Sequence, residues 1–343
     1  MAAKTRAVMV GCGGITRSWL TPLKDMEDVQ IVGLVDIVEQ NARARAEEYG
    51  LADAEIGTEL DLVLRLTQPD VVFNCTVPEA HASVSIAAME FGCHVLQEKP
   101  LADSVENARR MIAAAEKAGR ILAVIQNRRY DPNIRRLRNV VASQAIGALT
   151  TANCDFYLGA HFGGFRDHMP HVLLLDMAIH TFDAARLITG VDPVSVYCKE
   201  WNPAGSWYDR DASAVAIFEM TGGLIYTYRG SWCAEGLNTT WESNWHLVGT
   251  RGSLHWDGAL CIEGEKVAES GGFRSALEAV EIPVFDAGSK VGAHGGVIRE
   301  FLHSVRTGVR PETSAHDNIK SLAMVFGAIE SAETGREVRI SVE

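Results

Sequence analysis

The stretch that decides the fold is AVMVGCGGIT, residues 7–16. Its four apolar residues are typical of a buried strand, and Gly11 and Gly13 are the first two glycines of the pattern GxGxxG, with Thr16 in the place of the third. The first glycine permits a tight turn, and the second lets the backbone approach a pyrophosphate at the N-terminus of the following helix. The stretch therefore predicts a strand, a dinucleotide-binding loop and a helix.

The alternation of strand and helix continues to about residue 127. Short β-branched runs occur at 7–10, 31–36, 71–75, 94–97 and 121–126, and segments of helical period separate them at 13–25, 39–49, 58–67, 79–91 and 103–118. Continuous apolar strands separated by crossovers of this length indicate a parallel sheet covered by helices on both faces. We predict a doubly wound α/β domain over residues 1–127.

Asp36 ends the second predicted strand, twenty residues beyond Thr16. A carboxylate there accepts hydrogen bonds from an adenosine ribose and repels a 2′-phosphate. No arginine follows it in residues 37–39, so the pattern favours NAD over NADP.

The loop after the third strand is also expected to lie beside the dinucleotide. Thr76 and Pro78 are candidates to contact a ribose, and His81 is a candidate in the following helix. The alternative is a helix start initiated by proline with no ligand, in which His81 only occupies the first turn.

Lys99 follows the strand at 94–97 in the sequence Gln97-Glu98-Lys99-Pro100. Ligands of an open parallel sheet bind just beyond the carboxyl ends of the strands, so this lysine can reach a cofactor and its substrate together. The alternative is a solvated loop lysine, because lysine is common in loops.

The second half of the chain, residues 128–343, has a different pattern. Strands are predicted at 149–158, 193–200, 212–220, 223–233, 241–249, 252–257 and 260–267, and helices at 297–306 and 317–334. Six of the seven tryptophans lie within 201–256, which suits a sheet. We predict an α+β domain with a large, mostly antiparallel sheet, whose open face binds sugar or another subunit. Ordinary sheet packing is the alternative for most of the tryptophans.

A glycine-rich loop at 159–170 precedes a predicted helix at 171–183. Asp176 and His180 are four residues apart, so they share one helical face. Taken alone, such a pair is most often a surface or capping interaction.

Composition bounds the possible partners. A chain of 343 residues favours two domains, and the formal net charge of −12 argues against binding to nucleic acid. No apolar run approaches about eighteen residues and no signal-peptide core follows Met1, so we expect a cytoplasmic chain with no membrane association. Seven cysteines without a CxxC pair predict reduced thiols.

The order of these motifs resembles the Gfo/Idh/MocA family of NAD(P)-dependent oxidoreductases over nearly the whole chain. The resemblance rests on residues 11–15, 36, 76–78 with 81, 98–102, 127–132, 176–183 and 331–338. It implies a Rossmann domain followed by an α+β domain whose sheet forms a homodimer or homotetramer interface. Two positions depart from the usual pattern, since Thr16 replaces a small residue and Ala178 stands where glycine is frequent.

The resemblance also implies which residues carry the chemistry. His180 is the expected base for a hydroxyl proton, because a neutral histidine has a pKa near operating pH. Asp176 orients its ring, and Lys99 stabilises negative charge on the reacting oxygen or accepts the proton itself. We expect Lys99 and His180 to converge beside the nicotinamide. The residues expected to bind the dinucleotide are Gly11, Gly13, Gly14, Ile15, Asp36, Thr76, Pro78, His81, Glu98 and Lys99.

The expected substrate is a sugar or polyol, and the narrower expectation is an aldose such as apiose or another pentose that is oxidised to a lactone. Inositol dehydrogenases share the same catalytic set, and some relatives bind dinucleotide as regulatory sensors without turnover. The residues expected to bind substrate are Lys99, Asn127, Arg128, Tyr157, Arg166, His168, Asp176 and His180. Histidines 161, 168 and 171 match no common metal spacing, so we expect no metal.

Overall fold

The computed structural model describes residues 4–283 and 290–342. The strands are β1 (Thr5–Val10), β2 (Val29–Val35), β3 (Glu55–Gly57), β4 (Val71–Asn74), β5 (His94–Gln97), β6 (Leu122–Val124), β7 (Leu149–Tyr157), β8 (Pro193–Trp201), β9 (Ser213–Met220), β10 (Ile225–Ser231), β11 (Asn244–Gly249), β12 (Gly252–Trp256), β13 (Ile262–Glu269), β14 (Ala276–Ala279) and β15 (Val338–Arg339). The helices are α1 (Thr16–Leu23), α2 (Glu39–Tyr49), α3 (Leu60–Thr67), α4 (Pro78–Phe91), α5 (Val105–Ala118), α6 (Pro132–Ala142), α7 (Phe165–His168), α8 (Ile179–Thr189), α9 (Ala293–Thr307) and α10 (Ala315–Thr334). A π-helical stretch, Leu173–Ala178, leads directly into α8.

The chain forms two compact units, and the first unit contains two separate segments. One segment runs up to Tyr130, and the other ends at Leu322 and includes α9. The second unit begins at Asp131 and takes up the chain again from Ala323. The sequence pattern instead predicted a single boundary after residue 127, with residues 128–343 in the second domain. The difference arises because α9 packs on the first sheet, where Phe301 lies 6.4 Å from Phe73 between ring centroids.

The first unit is built on a parallel sheet of six strands in the order β3-β2-β1-β4-β5-β6. The strand order reverses between β1 and β4, and the loops that follow these two strands therefore lie side by side. Ligands of doubly wound folds bind at this point. The predicted doubly wound fold is confirmed, and the three-residue edge strand β3 is the one the sequence analysis did not find.

The second unit is built on a sheet of nine strands in the order β14-β13-β12-β11-β7-β10-β9-β8-β15. Neighbouring strands are antiparallel except β7 and β10, which run parallel. One face packs against helix α8, where Phe182 lies within 4.9–6.2 Å of the rings of Phe218, Tyr226 and Tyr228. The predicted α+β architecture is confirmed.

Within residues 4–283 and 290–342, no helix is both long and apolar enough to span a bilayer.

Candidate functional site

The loop between β1 and α1 has the geometry that a dinucleotide requires. Gly11 has a φ of +81°, and a Cβ there would lie 2.7 Å from the backbone carbonyl of Cys75. By contrast, a Cβ on Gly13 or Gly14 would meet no atom within 4 Å. Gly11 thus lets two loops touch, whereas Gly13 and Gly14 leave open space at the start of α1 for a pyrophosphate.

Thr16, at the third position of the fingerprint, is fully buried as the first residue of α1. Its hydroxyl donates a hydrogen bond of 2.6 Å to the carbonyl of Gly13. The departure from the family pattern is therefore accommodated, because the larger side chain closes the loop instead of disrupting it. Ile15 precedes the helix with its side chain exposed.

Asp36, the residue after β2, holds the loop between β1 and α1 through its carboxylate. Its Oδ2 accepts a hydrogen bond of 2.7 Å from the backbone N–H of Cys12, and its Oδ1 accepts from Val38 N–H and from the Asn41 amide. Each carboxylate oxygen carries two lone pairs, so further acceptor capacity remains for ribose hydroxyls.

A cavity of about 380 Å³ lies next to Asp36 in the first unit. Its walls combine the backbone of Gly11 and Gly13 with apolar side chains such as Val38, Leu60 and Val84. Apolar walls suit a flat adenine ring, and a carboxylate suits the ribose hydroxyls. The residues present therefore fit NAD.

Arg45 is a loop-holding residue that the sequence analysis missed. It is buried on α2 and donates to the carbonyls of Cys12 at 3.3 Å and Gly13 at 3.0 Å, while it pairs with Glu48. These bonds hold the carbonyls of Cys12 and Gly13 toward the Arg45 side chain of α2. An arginine within a charged helix gives no sequence signal for this role, because its partners are backbone atoms about thirty residues away.

The loop after β4 is held by a buried histidine. His81 has one ring nitrogen 2.8 Å from the carbonyl of Pro100 and the other 3.1 Å from the carbonyl of Thr76. Burial lowers the pKa of His81, which favours the neutral ring. His81 thus links the loops that follow β4 and β5, and Pro78 begins α4 beside it.

Glu98 and Lys99 follow the carboxyl end of β5. Glu98 is buried, and its Oε1 accepts a hydrogen bond of 2.7 Å from the indole of Trp19 and lies 3.8 Å from the imidazole of His294. Burial acts to raise the pKa of Glu98, but the bonds from His294 and Trp19 and the charges of His294 and Lys99 bring it below its ordinary value. The backbone N–H of Lys99 donates to Glu98 Oε2 at 3.1 Å.

An ionised carboxylate therefore anchors the segment that presents Lys99. The Lys99–Pro100 peptide is cis. The sequence analysis named Glu98 but missed Trp19 and His294, which come from α1 and α9, far away in the chain.

Two amide side chains follow β6 at the carboxyl ends of the parallel strands, the edge of the sheet where Lys99 follows β5. Gln126 Nε2 and Asn127 Oδ1 are buried and have no hydrogen-bond partner among the described residues. Buried polar atoms of this kind are normally satisfied, so both are suited to a polar ligand. The sequence analysis named Asn127 and its neighbour Arg128, which is half-buried, but not Gln126.

In the second unit, Asp176 lies in the π-helical stretch and His180 lies at the start of α8. The sequence analysis predicted an ordinary helix here. A π-helical turn is rare and occurs frequently at functional sites. It turns Asp176 toward the 159–170 loop, where Arg166 Nε donates to Asp176 Oδ2 at 2.8 Å and a second guanidinium nitrogen lies 3.4 Å from Oδ1.

Arg166 was expected to bind substrate hydroxyls, and the structure shows it paired with Asp176. The guanidinium lies 4.8 Å from the ring centroid of Phe162 and 4.9 Å from that of Phe165. A bidentate, stacked arginine fixes both the position and the charge of its carboxylate partner. Arg166 thus positions Asp176.

The three histidines of this region bind three different carboxylates. His161 lies 2.8 Å from Glu235, His168 lies 2.6 Å from Asp209, and His171 lies 2.6 Å from Glu200. The hydrogen bond that Asp209 accepts from His168 raises the pKa of His168, whose side chain is largely exposed. His168 therefore lies in a surface ion pair.

Tyr157 is the last residue of β7, whose buried residues Ala152, Cys154 and Phe156 belong to the core under α8. Alternate residues of a strand point to opposite faces. Tyr157 therefore shares the open face of the sheet with the pair formed by Asp155 and Arg229, and the structure does not bring it together with Asp176.

Gly11 and Gly13 of the β1–α1 loop are expected to give separable defects when substituted. Gly11→Ala is expected to lower both stability, by about 1–3 kcal/mol, and NAD affinity, because the left-handed backbone and the Cys75 carbonyl oppose a Cβ. Gly13→Ala is expected to retain the melting temperature but to weaken NAD binding, because its Cβ fills the space left for the pyrophosphate. Thermal denaturation and calorimetric titration with NAD check both, and equal melting temperatures for the two variants would contradict the assignment.

The pair formed by His171 and Glu200 predicts a pH-dependent stability. The hydrogen bond with Glu200 raises the pKa of His171, and burial raises the pKa of Glu200. Between the raised pKa of Glu200 and the ordinary histidine pKa of about 6.5, His171 is protonated in the folded and unfolded states and Glu200 is ionised, so the pair contributes fully. The contribution is lost as the pH rises through the raised pKa of His171.

We therefore expect His171→Asn to lower the free energy of unfolding by about 2 kcal/mol near pH 6 and by less near pH 9. Thermal denaturation over this range measures the difference. His255→Asn is the control, because the exposed pair of His255 with Glu263 contributes little. A constant effect of His171→Asn across the range would show that its charge has no part in stability.

Comparisons with known proteins agree with this fold. The sequence profile described as an oxidoreductase family with an NAD-binding Rossmann fold, of the Gfo/Idh/MocA group, matches residues 5–126. The profile of the Gfo/Idh/MocA C-terminal domain matches residues 134–255.

Characterised relatives match nearly the whole chain. A 1,5-anhydro-D-fructose reductase from Ensifer adhaerens is 23% identical over 97% of this chain and 97% of its own length. A D-apiose dehydrogenase from Paraburkholderia graminis is 25% identical over 98% of this chain and 89% of its own length.

Among solved structures, an oxidoreductase from Agrobacterium radiobacter, in complex with NAD⁺, L-tartaric acid and magnesium, superposes with a TM-score of 0.85. It is 20% identical, with 98% of this chain and 99% of that chain covered, and so supports the fold. Both halves of the chain thus match one family, and the site in the first unit fits its dinucleotide. The chain belongs to the Gfo/Idh/MocA family of oxidoreductases and binds NAD through its Rossmann domain.

Proposed function

We propose that this protein oxidises a hydroxyl group of a sugar or polyol and transfers the hydride to NAD. The observation that carries the proposal is the pairing of Arg166 with Asp176 on the helical stretch that also bears His180. A carboxylate with fixed position and charge, one turn before a histidine, is an arrangement for general-base chemistry. The D-apiose dehydrogenase and 1,5-anhydro-D-fructose reductase relatives support a sugar as substrate.

Each of the three residues has a defined role in this proposal. His180 accepts the hydroxyl proton on a ring nitrogen, and the negative charge of Asp176 stabilises the imidazolium that results. Lys99 donates a hydrogen bond to the reacting oxygen and stabilises its developing charge. When bound, NAD supplies the hydride acceptor. Alternatively Lys99 itself accepts the proton, and the pH dependence of the variants separates the two assignments.

A substrate panel tests the proposal directly. Aldoses including apiose and other pentoses, polyols and inositols are incubated with NAD and with NADP, and NADH or NADPH absorbance is followed. We expect net NADH release with at least one sugar or polyol and a preference for NAD, since Asp36 repels a 2′-phosphate. No turnover with any member, despite NAD binding by calorimetry, would favour a regulatory dinucleotide sensor instead.

Within this panel, the sequence of the 159–170 loop favours apiose or another pentose as the sugar that is oxidised, with oxidation at the anomeric carbon to a lactone. The D-apiose dehydrogenase relative supports this choice across the length of the chain. Myo-inositol is the competing substrate, because inositol dehydrogenases share the Lys, Asp and His set. Product analysis by mass spectrometry distinguishes a lactone from an inosose.

We also expect the protein to form a homodimer or homotetramer through the open face of its nine-stranded sheet. Tyr197 and Ile217 face each other there on neighbouring strands, and both are exposed, as are Trp201 and Ile225. Exposed apolar patches of this kind mark interfaces. Light scattering after size-exclusion chromatography is expected to show a dimer or tetramer for the wild type and a lower mass for Ile217→Glu. A monomeric wild type would contradict the expectation.

A further inference from the structure

Three aromatic side chains with exposed rings lie next to the pair formed by Arg166 and Asp176. Phe162 is 40% exposed, Phe165 is 69% exposed and Trp241 is 49% exposed. We call this group the aromatic shelf. Exposed aromatic groups that adjoin polar side chains are characteristic of ligand-binding surfaces.

The shelf rests on a fixed base. The ring of Trp232 is buried and contacts Phe162 at 5.1 Å and Trp241 at 5.6 Å, both edge-on. On its other side Trp232 packs against the buried ring of Phe156 at 5.0 Å. Two exposed rings are thus held in place by a buried one, which lowers the entropy lost when a ligand binds.

The loop that carries Phe162 is also anchored by hydrogen bonds. The backbone N–H of Ala160 donates to the carbonyl of Trp232 at 3.1 Å, and the carbonyl of Ala160 accepts from Trp207 at 3.0 Å and from Tyr208 at 2.6 Å. His161 stacks on Trp207 with ring centroids 3.7 Å apart. The exposed ring of Phe162 is therefore carried by a well-anchored segment of the loop.

The shelf is continuous with Asp176. The Arg166 guanidinium contacts Asp176 on one side and the rings of Phe162 and Phe165 on the others. Trp241 joins this group through Phe162, at 6.4 Å between centroids. Arg166 therefore connects Asp176 to the shelf, and a ligand that reaches both Asp176 and Trp241 has to extend past Arg166.

The chemistry of the shelf matches a second sugar ring. One face of a pyranose consists of C–H groups that pack on a flat aromatic ring, and its hydroxyls point outward from the edge. The nearby pair of His161 and Glu235, both largely exposed, offers polar groups to those hydroxyls. Resting on the proposed function, we infer that the aromatic shelf binds the second, non-reacting ring of a glycoside, so that the substrate is a disaccharide or larger glycoside.

Matched pairs of sugars test this inference. NADH formation is measured with cellobiose, lactose, maltose and xylobiose and with their component monosaccharides. We expect a higher kcat/KM for at least one disaccharide than for its monosaccharides. Trp241→Ala is expected to lower kcat/KM for that disaccharide about three- to tenfold, mainly through KM, and to change the monosaccharide value by less than about twofold.

The control is Phe273→Ala, because Phe273 is an exposed phenylalanine of the same unit outside the shelf. It is expected to behave as the wild type with both kinds of sugar. Trp241→Phe keeps an aromatic face and is expected to restore most of the disaccharide kcat/KM. Trp241→Leu removes the aromatic face but keeps an apolar side chain of considerable volume, so it supplies the measurement if Trp241→Ala is unstable.

Three outcomes overturn the inference. These are a preference for monosaccharides over every disaccharide, an equal loss for both kinds of sugar in the shelf variants, and a change of oligomeric mass in Trp241→Ala, which would make the shelf an interface between copies. Each leaves the proposed function standing, because monosaccharides are still oxidised. The proposed function fails separately if no sugar, single-ring or linked, yields NADH.

Discussion

Lys99→Ala is expected to lower kcat by about two to three orders of magnitude and to leave the dissociation constant for NAD within about threefold of the wild type. The lysine follows β5 at the edge of the sheet where the dinucleotide binds, and under the proposed mechanism its removal deletes a positive charge beside the reacting oxygen. The adenosine half of NAD is held elsewhere, by the glycine loop and Asp36. Steady-state NADH formation and calorimetric titration with NAD measure the two quantities.

Lys24→Ala is the matched control, because Lys24 lies over the ring of Tyr49 at 4.6 Å in the same unit, outside the candidate site. It is expected to retain full kcat. A Lys99→Ala enzyme with more than about a fifth of the wild-type kcat would exclude Lys99 from the chemistry. The pH–rate profile of His180→Asn completes the test, because loss of its acidic limb identifies His180 as the proton acceptor.

Asp176→Asn is expected to lower kcat by about two to four orders of magnitude with little change in melting temperature. The amide retains the shape of the side chain and still accepts a bond from Arg166, but it carries no negative charge to stabilise an imidazolium on His180. Single-turnover measurement of NADH formation isolates the chemical step from product release.

Asp192→Asn serves as the control. Asp192 lies just beyond α8 and pairs at 2.9 Å with Arg186 of α8, the helix that continues from the π-helical stretch bearing Asp176. It is expected to keep the wild-type kcat. If both variants lose activity equally, the loss reflects the stability of the helix and not the charge of Asp176.

The fold could be predicted because its signals are local. Apolar runs separated by helical segments indicated the parallel sheet, and the strand at 94–97 has the same bounds in the structure. The short strands β3, β14 and β15 escaped prediction because two to four residues carry too little periodicity to stand out.

The candidate site was predictable where a side chain follows directly from a strand or helix. Asp36 and Lys99 were named from their positions at strand ends. Their supporting partners were not, since Arg45 and His294 act across long chain separations that one sequence does not reveal. The pairing of Arg166 with Asp176 depends on the path of a glycine-rich loop, which local propensity does not define.

The meeting of Lys99 and His180 at one pocket stays a prediction of the sequence and the family resemblance. The kinetics of the two variants test it without reference to geometry. A double variant that loses no more activity than the more damaging single variant would show that the two residues act as one unit.

Helix α9 belongs to the first unit although it follows most of the second unit in the chain, and this order affects how the nascent chain folds. The Rossmann unit needs His294 beside Glu98 and Phe301 against Phe73, and both come from a segment made after most of the second unit. A nascent chain that ends at Tyr130 therefore holds an incomplete core with a buried carboxylate missing one partner. Domains generally fold in order from the N-terminus, but this one acquires its last core helix only after residues 131–287 of its neighbour have been translated.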